Sequence, residues 1–342
     1  MITPAPTHHL AYPPRPSKDQ AEEPRQVLIF FVPGNPGLID YYEPFLSALR
    51  GLLDASPPLR RPARFHVYGQ DLAGFSDDHH EPFTSSRKPH DLEYQIRHSL
   101  EALRSLRIES DGPGAGRSYD EVLLVGHSVG AYIALELCHR VLKDPGLAPG
   151  LNINSGILLF PTIHHISRSP SGWKLDLLRR TPVLGDNAYR VAQGFLHLWP
   201  RGALYWLVHR VLRFPPGPAE VTTRWLKSRD GVWQALHMGM DEMQVIGEDR
   251  WDDELWEIDH EAQARRDEVP APTPKFYFFF GRHDHWVANH YRDDFIRERQ
   301  KHVERTRLIV DESDIPHAFC INHSETVAEK VHVWINEMYG AE

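Results

Sequence analysis

In the stretch Glu121-Val122-Leu123-Leu124-Val125-Gly126-His127-Ser128-Val129-Gly130-Ala131-Tyr132 the chain changes character twice. Residues 122–125 are wholly apolar, as in a strand buried on both faces. From Ala131 onward Ala134, Leu135, Leu137 and Leu142 give the composition of a helix. Gly126-His127-Ser128-Val129-Gly130 joins the two. A Gly-x-Ser-x-Gly turn between strand and helix is a nucleophile elbow, in which the serine adopts a strained backbone and the residues two before and two after it must be small. By chance alone the motif arises about one time in ten in a chain of this size, so the flanking strand and helix carry the inference. Ser128 is the expected nucleophile.

The 342 residues suit one large domain or a domain with a sizeable insertion. Basic residues number 38 against 47 acidic, a net charge of −9 with no basic stripe, which excludes a broad nucleic-acid footprint. Two cysteines, Cys138 and Cys320, form no disulfide framework and read as packing residues in a protein of a reducing compartment. Residues 1–24 are rich in proline and polar groups, without the apolar core of a signal peptide, and read as a disordered tail. No run is long and apolar enough to predict a membrane-spanning helix.

Outward from the elbow, Val27-Leu28-Ile29-Phe30-Phe31-Val32 reads as a buried strand running into the turn Pro33-Gly34-Asn35-Pro36-Gly37. Further strands are read at 64–68, 155–160, 275–280 and 306–310, with helices at 41–53, 90–106 and 325–338 between and after them. Alternation of this kind means an α/β fold, a mostly parallel sheet with helices on both faces. The loop 111–116 lacks the Gly-Lys-Ser/Thr ending of a phosphate loop, so no nucleotide site is expected there. Between residues 160 and 275 no good strand run occurs, which predicts a helical cap inserted over the carboxyl ends of the strands. The expected organisation is a core of 25–163 and 272–342 with a cap of 164–271.

On an α/β sheet bearing such an elbow, the acid and the histidine follow the serine in that order. Asp284 stands just past the strand 275–280, in Gly281-Arg282-His283-Asp284, placed to hold an imidazole in its productive tautomer. His283, Asp284 and His285 are also a conceivable set of metal ligands, but no matching cluster accompanies them and no metal or organic cofactor is expected. His317, in the loop after the last strand, is the expected base; His323 is its rival but abuts the final helix. Two backbone amides must hold an oxyanion: Val129, directly after the nucleophile, and Asn35, where Gly34 lets the main chain approach closely.

Val32-Pro33-Gly34-Asn35-Pro36-Gly37, Tyr41-Tyr42-Glu43-Pro44-Phe45, Gly126-His127-Ser128-Val129-Gly130-Ala131-Tyr132, Leu159-Phe160-Pro161-Thr162-Ile163, Ser169-Pro170-Ser171-Gly172-Trp173, Asp284-His285-Trp286-Val287 and His317-Ala318-Phe319 together resemble the lipid droplet-associated hydrolase family of α/β-hydrolases. The resemblance spans nearly the whole chain except its N-terminal tail. It implies a serine hydrolase of hydrophobic carboxylic esters, such as sterol esters or acylglycerols, at lipid droplets on the cytoplasmic face, near the endoplasmic reticulum, and not secreted. A catalytically weak droplet-binding scaffold of the same fold and a thioesterase or peptidase are the competing readings.

Within the expected cap, residues 195–214 are the most apolar part. Leu204, Leu207, Val208 and Val211 recur at helical spacing, with Tyr205 and Trp206 adding bulk and Arg201, His209, Arg210 and Arg213 at the ends. Such a helix either lies in a lipid interface, with Trp206 and Leu207 as contacts, or walls an acyl pocket as a lid. Residues 247–261 are strongly acidic and read as a solvated cap helix with Trp251, Leu255 and Ile258 on one edge.

Overall fold

The computed structural model describes residues 7–15, 24–56, 62–108, 114–185, 187–248, 251, 255, 275–299 and 306–340. Its strands are β1 His9–Tyr12, β2 Arg25–Val32, β3 Ala63–Gln70, β4 Glu121–His127, β5 Ile153–Leu159, β6 Lys275–Phe280 and β7 Thr306–Val310. They form one sheet in the order β1-β3-β2-β4-β5-β6-β7, with only β1 antiparallel to its neighbour. Central β4 is buried at every position, as its unbroken apolar run demands in a sheet covered on both faces. Val125 is paired with Phe31 on one side and Ile157 on the other, which brings the ends of β2, β4 and β5 to one rim.

Helices surround this sheet. α1 Glu43–Ala55, α2 Leu92–Ser105 and α3 Val129–Lys143 follow the first strands. Asp91 caps α2, accepting a hydrogen bond from the Tyr94 amide at 2.8 Å. Between β5 and β6 come α4 Gly172–Arg179, α5 Pro182–Gly185, α6 Ala188–His197, α7 Arg201–Trp206, α8 Pro216–Leu226 and α9 Gly231–Val245. α10 Asn289–Arg299 and α11 Ser324–Gly340 complete the order, α11 packing against α1. Among the described residues no helix is long and apolar enough to cross a membrane. Cys138 and Cys320 are free and buried, as packing residues.

Three expectations need revision or fall away. Residues 9–12 of the expected disordered tail form β1, pairing His9–Tyr12 with β3, which would otherwise be the sheet edge. Leu10 and Tyr12 alternate onto the core, and the His8 carbonyl accepts the Asp71 amide at 2.8 Å. A two-residue alternation among prolines is too brief to stand out in sequence; the open edge of β3 supplies what it lacks. Second, the helical repeat from 201 does not run on evenly: α7 ends at Trp206 and a π-helical turn, Leu207–Val211, follows. The acidic stretch 247–261 lies outside the described residues, save 247, 248, Trp251 and Leu255, of which Trp251 and Leu255 are buried.

Candidate active site

Ser128 sits at the turn from β4 into α3 with φ 56° and ψ −124°, a conformation an L-residue adopts only under constraint. The constraint is crowding. A Cβ on Gly126 would lie 2.3 Å from the Gly130 carbonyl oxygen, and one on Gly130 2.2 Å from that of Val32, so neither position accepts a side chain. The Ser128 amide donates to the Leu159 carbonyl at 3.0 Å, tying the turn to the end of β5.

The residues expected to join Ser128 converge on it. His317 Nε2 is 2.8 Å from Ser128 Oγ, and His317 Nδ1 is 2.6 Å from Asp284 Oδ2. Asp284 Oδ1 accepts the Trp286 amide at 2.8 Å, which fixes the carboxylate past the end of β6. Burial raises the Asp284 pKa, but the charge and hydrogen bond of His317 outweigh it and hold this acid below its ordinary range, ionised. Nδ1 of His317 therefore carries the proton donated to Asp284, leaving Nε2 free to accept from the serine hydroxyl. The rival His323 has its carbonyl engaged by the Val327 amide at the start of α11. Asp284 is buried while His283 and His285 beside it are exposed, so those three do not gather as ligands. Asp77, His80 and Asp230 do lie close together, but Arg229 and backbone amides already occupy the Asp77 and Asp230 carboxylates.

On the other side of Ser128 lies the loop after β2. A Cβ on Gly34 would come within 3.0 Å of both Ser128 Cβ and His127 Nδ1, so this loop approaches the serine as only glycine permits. Neither the Asn35 nor the Val129 backbone amide donates to a protein acceptor among the described residues. The Asn35 side chain is anchored elsewhere, Nδ2 donating to the Ala235 carbonyl and to Glu242 Oε1, each at 3.0 Å, on α9.

Two residues that sequence reasoning missed connect these parts. His127 Nε2 is 2.8 Å from the His317 carbonyl, an acceptor only, so Nε2 carries the proton. Nδ1 then accepts from the Tyr42 hydroxyl at 2.7 Å, and the Tyr42 oxygen in turn accepts the Gly34 amide at 3.1 Å. Every donor in this relay is thereby fixed. Burial, with the neighbouring His317, pushes the His127 pKa down to about 3, which keeps its ring neutral as the relay requires.

Above Ser128 opens a cavity of about 800 Å³. Leu175, Leu178, Leu196, Trp225, Leu236 and Met243, all from the helices between β5 and β6, give it an apolar wall, and Asn35, Ser128, Trp286 and His317 also face it. Trp206 and Leu207 take no part in the lining. Trp206 is exposed and Leu207 half-buried, whereas Leu204 and Val208 of the same segment are buried.

A parallel sheet with a serine at such an elbow, a histidine and an acid at later strand ends and helices between β5 and β6 is the architecture of an α/β-hydrolase, and solved structures agree on the fold. Juvenile hormone epoxide hydrolase from the silkworm Bombyx mori superposes with a TM-score of 0.56 at 12% identity, over 96% of this chain and 73% of that one. A lipase-esterase related protein from Clostridium acetobutylicum gives 0.51 at 13% identity, over 95% and 98%.

The family profile described as lipid-droplet associated hydrolase matches residues 25–320, and the chain belongs to that family. The lipid droplet-associated hydrolase of Rattus norvegicus is 29% identical over 90% of this chain and 84% of its own. That of Homo sapiens is 26% identical over 92% and 86%, and that of Dictyostelium discoideum 23% over 93% and 90%.

Proposed function

We propose that this protein hydrolyses hydrophobic carboxylic esters, working at a lipid surface. The reading rests on one observation above all: the hydrogen-bonded series Ser128–His317–Asp284 lies at the base of a large apolar cavity. His317 takes the serine proton as Ser128 attacks the ester carbonyl, and Asp284 stabilises the imidazolium so formed. The oxyanion is received by the backbone amides of Val129 and Asn35, both without other acceptors among the described residues. His317 then protonates the departing alcohol, and water releases the acyl group from Ser128 by the same steps in reverse order. No metal or organic cofactor enters this chemistry.

The residues between 164 and 271 act as a cap that walls the acyl pocket and meets lipid. In support, Trp173, Leu177, Phe195, Leu198, Trp206 and Leu212 are all exposed on these helices, and the relatives are named for lipid droplets. A lipid droplet, reached from the cytoplasmic face or the adjoining endoplasmic reticulum, is the surface this fits. The quickest test is labelling with a serine-directed fluorophosphonate, followed by product analysis on mixed neutral lipids. Labelling and fatty-acid release that both disappear in Ser128→Ala support the reading; release that persists in that variant refutes it.

A further inference from the structure

Among the described residues, Glu242 is the one acidic side chain lining the cavity above Ser128. It is only 4% exposed and stands on α9 next to apolar Met243. Its Oε1 accepts from Asn35 Nδ2 at 3.0 Å, and Oε2 has no hydrogen-bond partner among the described residues. Among the other polar groups of the wall, Trp225 Nε1 is buried and likewise without a partner among the described residues, while the Tyr41, Thr222 and Asn35 groups are served. Thr222 Oγ1 donates to the Pro218 carbonyl at 2.8 Å, so the Tyr41 hydroxyl donates to Thr222, also at 2.8 Å. Both hydrogens of the Asn35 amide are used on α9. Burial pushes the Glu242 carboxyl up to about 8, the neighbouring Asp241 adding to the effect and the Asn35 bond opposing it. A neutral carboxyl bonded at Oε1 carries its proton on Oε2, on a side chain that lines the cavity.

We propose that Glu242 is a substrate-binding residue whose Oε2–H donates to a third oxygen of the ester, beyond the two of the scissile group. The proposal rests on the hydrolase reading above and narrows its substrate. The scissile carbonyl oxygen belongs to the Asn35 and Val129 amides, and the bridging oxygen to His317. A sterol ester has no oxygen left for Glu242. An acylglycerol has them on the adjoining carbons of its alcohol, and a hydroxylated acyl chain has one on its acid. Asn35 links this subsite to the turn beside Ser128.

The matched pair that tests this is 1-monooleoylglycerol against n-propyl oleate, which share acyl chain and alcohol skeleton and differ in two hydroxyls. Propyl ricinoleate carries the extra oxygen on the acyl side, and cholesteryl oleate carries none. All are presented in the same detergent micelles to the full chain. The wild-type protein should favour an oxygen-bearing ester over n-propyl oleate by about tenfold in kcat/KM, the worth of one well-made hydrogen bond. Glu242→Leu should bring that ratio to near one, while Glu242→Gln, which still accepts from Asn35 and still donates, should keep most of it. Preference for the glyceride places the oxygen on the alcohol, and preference for the ricinoleate places it on the acid.

A wild-type ratio near one, or a ratio that survives Glu242→Leu, overturns the subsite while leaving the esterase intact. Absence of Ser128-dependent turnover on every ester overturns the hydrolase reading instead. Should Glu242→Leu fail to fold, Glu242→Met replaces it. Binding of the same pair to Ser128→Ala, followed by tryptophan fluorescence, gives the ratio without turnover; equal affinities there also count against the subsite.

Discussion

The sheet and the helices inserted after β5 treat their apolar residues in opposite ways. β4 buries every position, and Val27, Ile29, Phe31, Val122 and Leu123 have no measurable exposure. Between residues 173 and 212, by contrast, stand eleven of the thirteen large apolar side chains found exposed among the described residues. The sheet hides its hydrophobicity because parallel strands are covered on both faces. The inserted helices turn part of theirs inward as a cavity wall and leave the rest exposed to water. On the function proposed above, chemistry falls to the sheet and lipid contact to the helices with exposed apolar residues.

The largest expected effect would separate the two regions cleanly. Ser128→Ala should lower ester turnover by at least about a thousandfold, the scale seen when a triad nucleophile is removed. The same variant should partition onto neutral-lipid emulsions as the wild type does. If binding falls together with turnover, the division of labour is wrong.

Next in size is the relay beneath the site. Tyr42→Phe leaves the buried Gly34 amide without its acceptor and His127 Nδ1 without its donor, while keeping the ring that faces the cavity. Stability should fall by about 2 kcal/mol. Turnover of a soluble ester should fall between about tenfold and a hundredfold in kcat with KM little changed, since what is lost is the alignment of the Gly34 and His317 loops. A rise in KM at constant kcat would mean that Tyr42 contacts substrate and does not position the loops.

How much of this was legible in the sequence follows from the range over which each feature is encoded. The elbow is local: strand, glycines and helix are contiguous, so Ser128 could be read from residues 121–132 alone. Asp284 and His317 were readable because a parallel sheet places the ends of β6 and β7 on the rim that holds the end of β4. The relay was not readable, because it joins residues 34, 42, 127 and 317 through side-chain contacts that no local pattern carries. Glu242 left a faint trace. Ala235, Gly239 and Glu242 lie on one face of α9 by helical spacing, and an acid on that face is a conflict between burial and charge that asks for a partner. β1 was lost because its pairing partner, not its own residues, makes it a strand.

Glu242 also gives the cavity wall a pH signature, opposite in sign to that of the depressed His127 at the end of β4. Its folded value of about 8 lies above the ordinary 4.5, so between these values the folded chain holds one proton more than the unfolded. Stability therefore falls as pH rises through that window, by about 1 kcal/mol per pH unit from this group. Chemical denaturation at pH 5.5 and 7.5 should show Glu242→Gln gaining on the wild type by about 2 kcal/mol between the two. Asp241, which shares the helix and has a raised value of its own, remains in both proteins and cancels. A difference independent of pH would mean that Glu242 is ionised in the folded chain.

The smallest effect probes the exposed face. Trp206 is 59% exposed and lies outside the cavity lining, so Trp206→Ser should leave hydrolysis of a water-soluble short-chain ester unchanged. Part of an indole surface entering a lipid interface is worth about 1 kcal/mol, so partitioning onto a neutral-lipid emulsion should weaken about fivefold. Trp225 is the control from the same insertion. It lines the cavity, and Trp225→Ser should disturb turnover of the short ester while leaving emulsion binding close to that of the wild type. Reversal of this pattern would make the outer helices the wall of the pocket and the inner ones the face toward lipid, and the contrast between the two regions would have to be drawn the other way round.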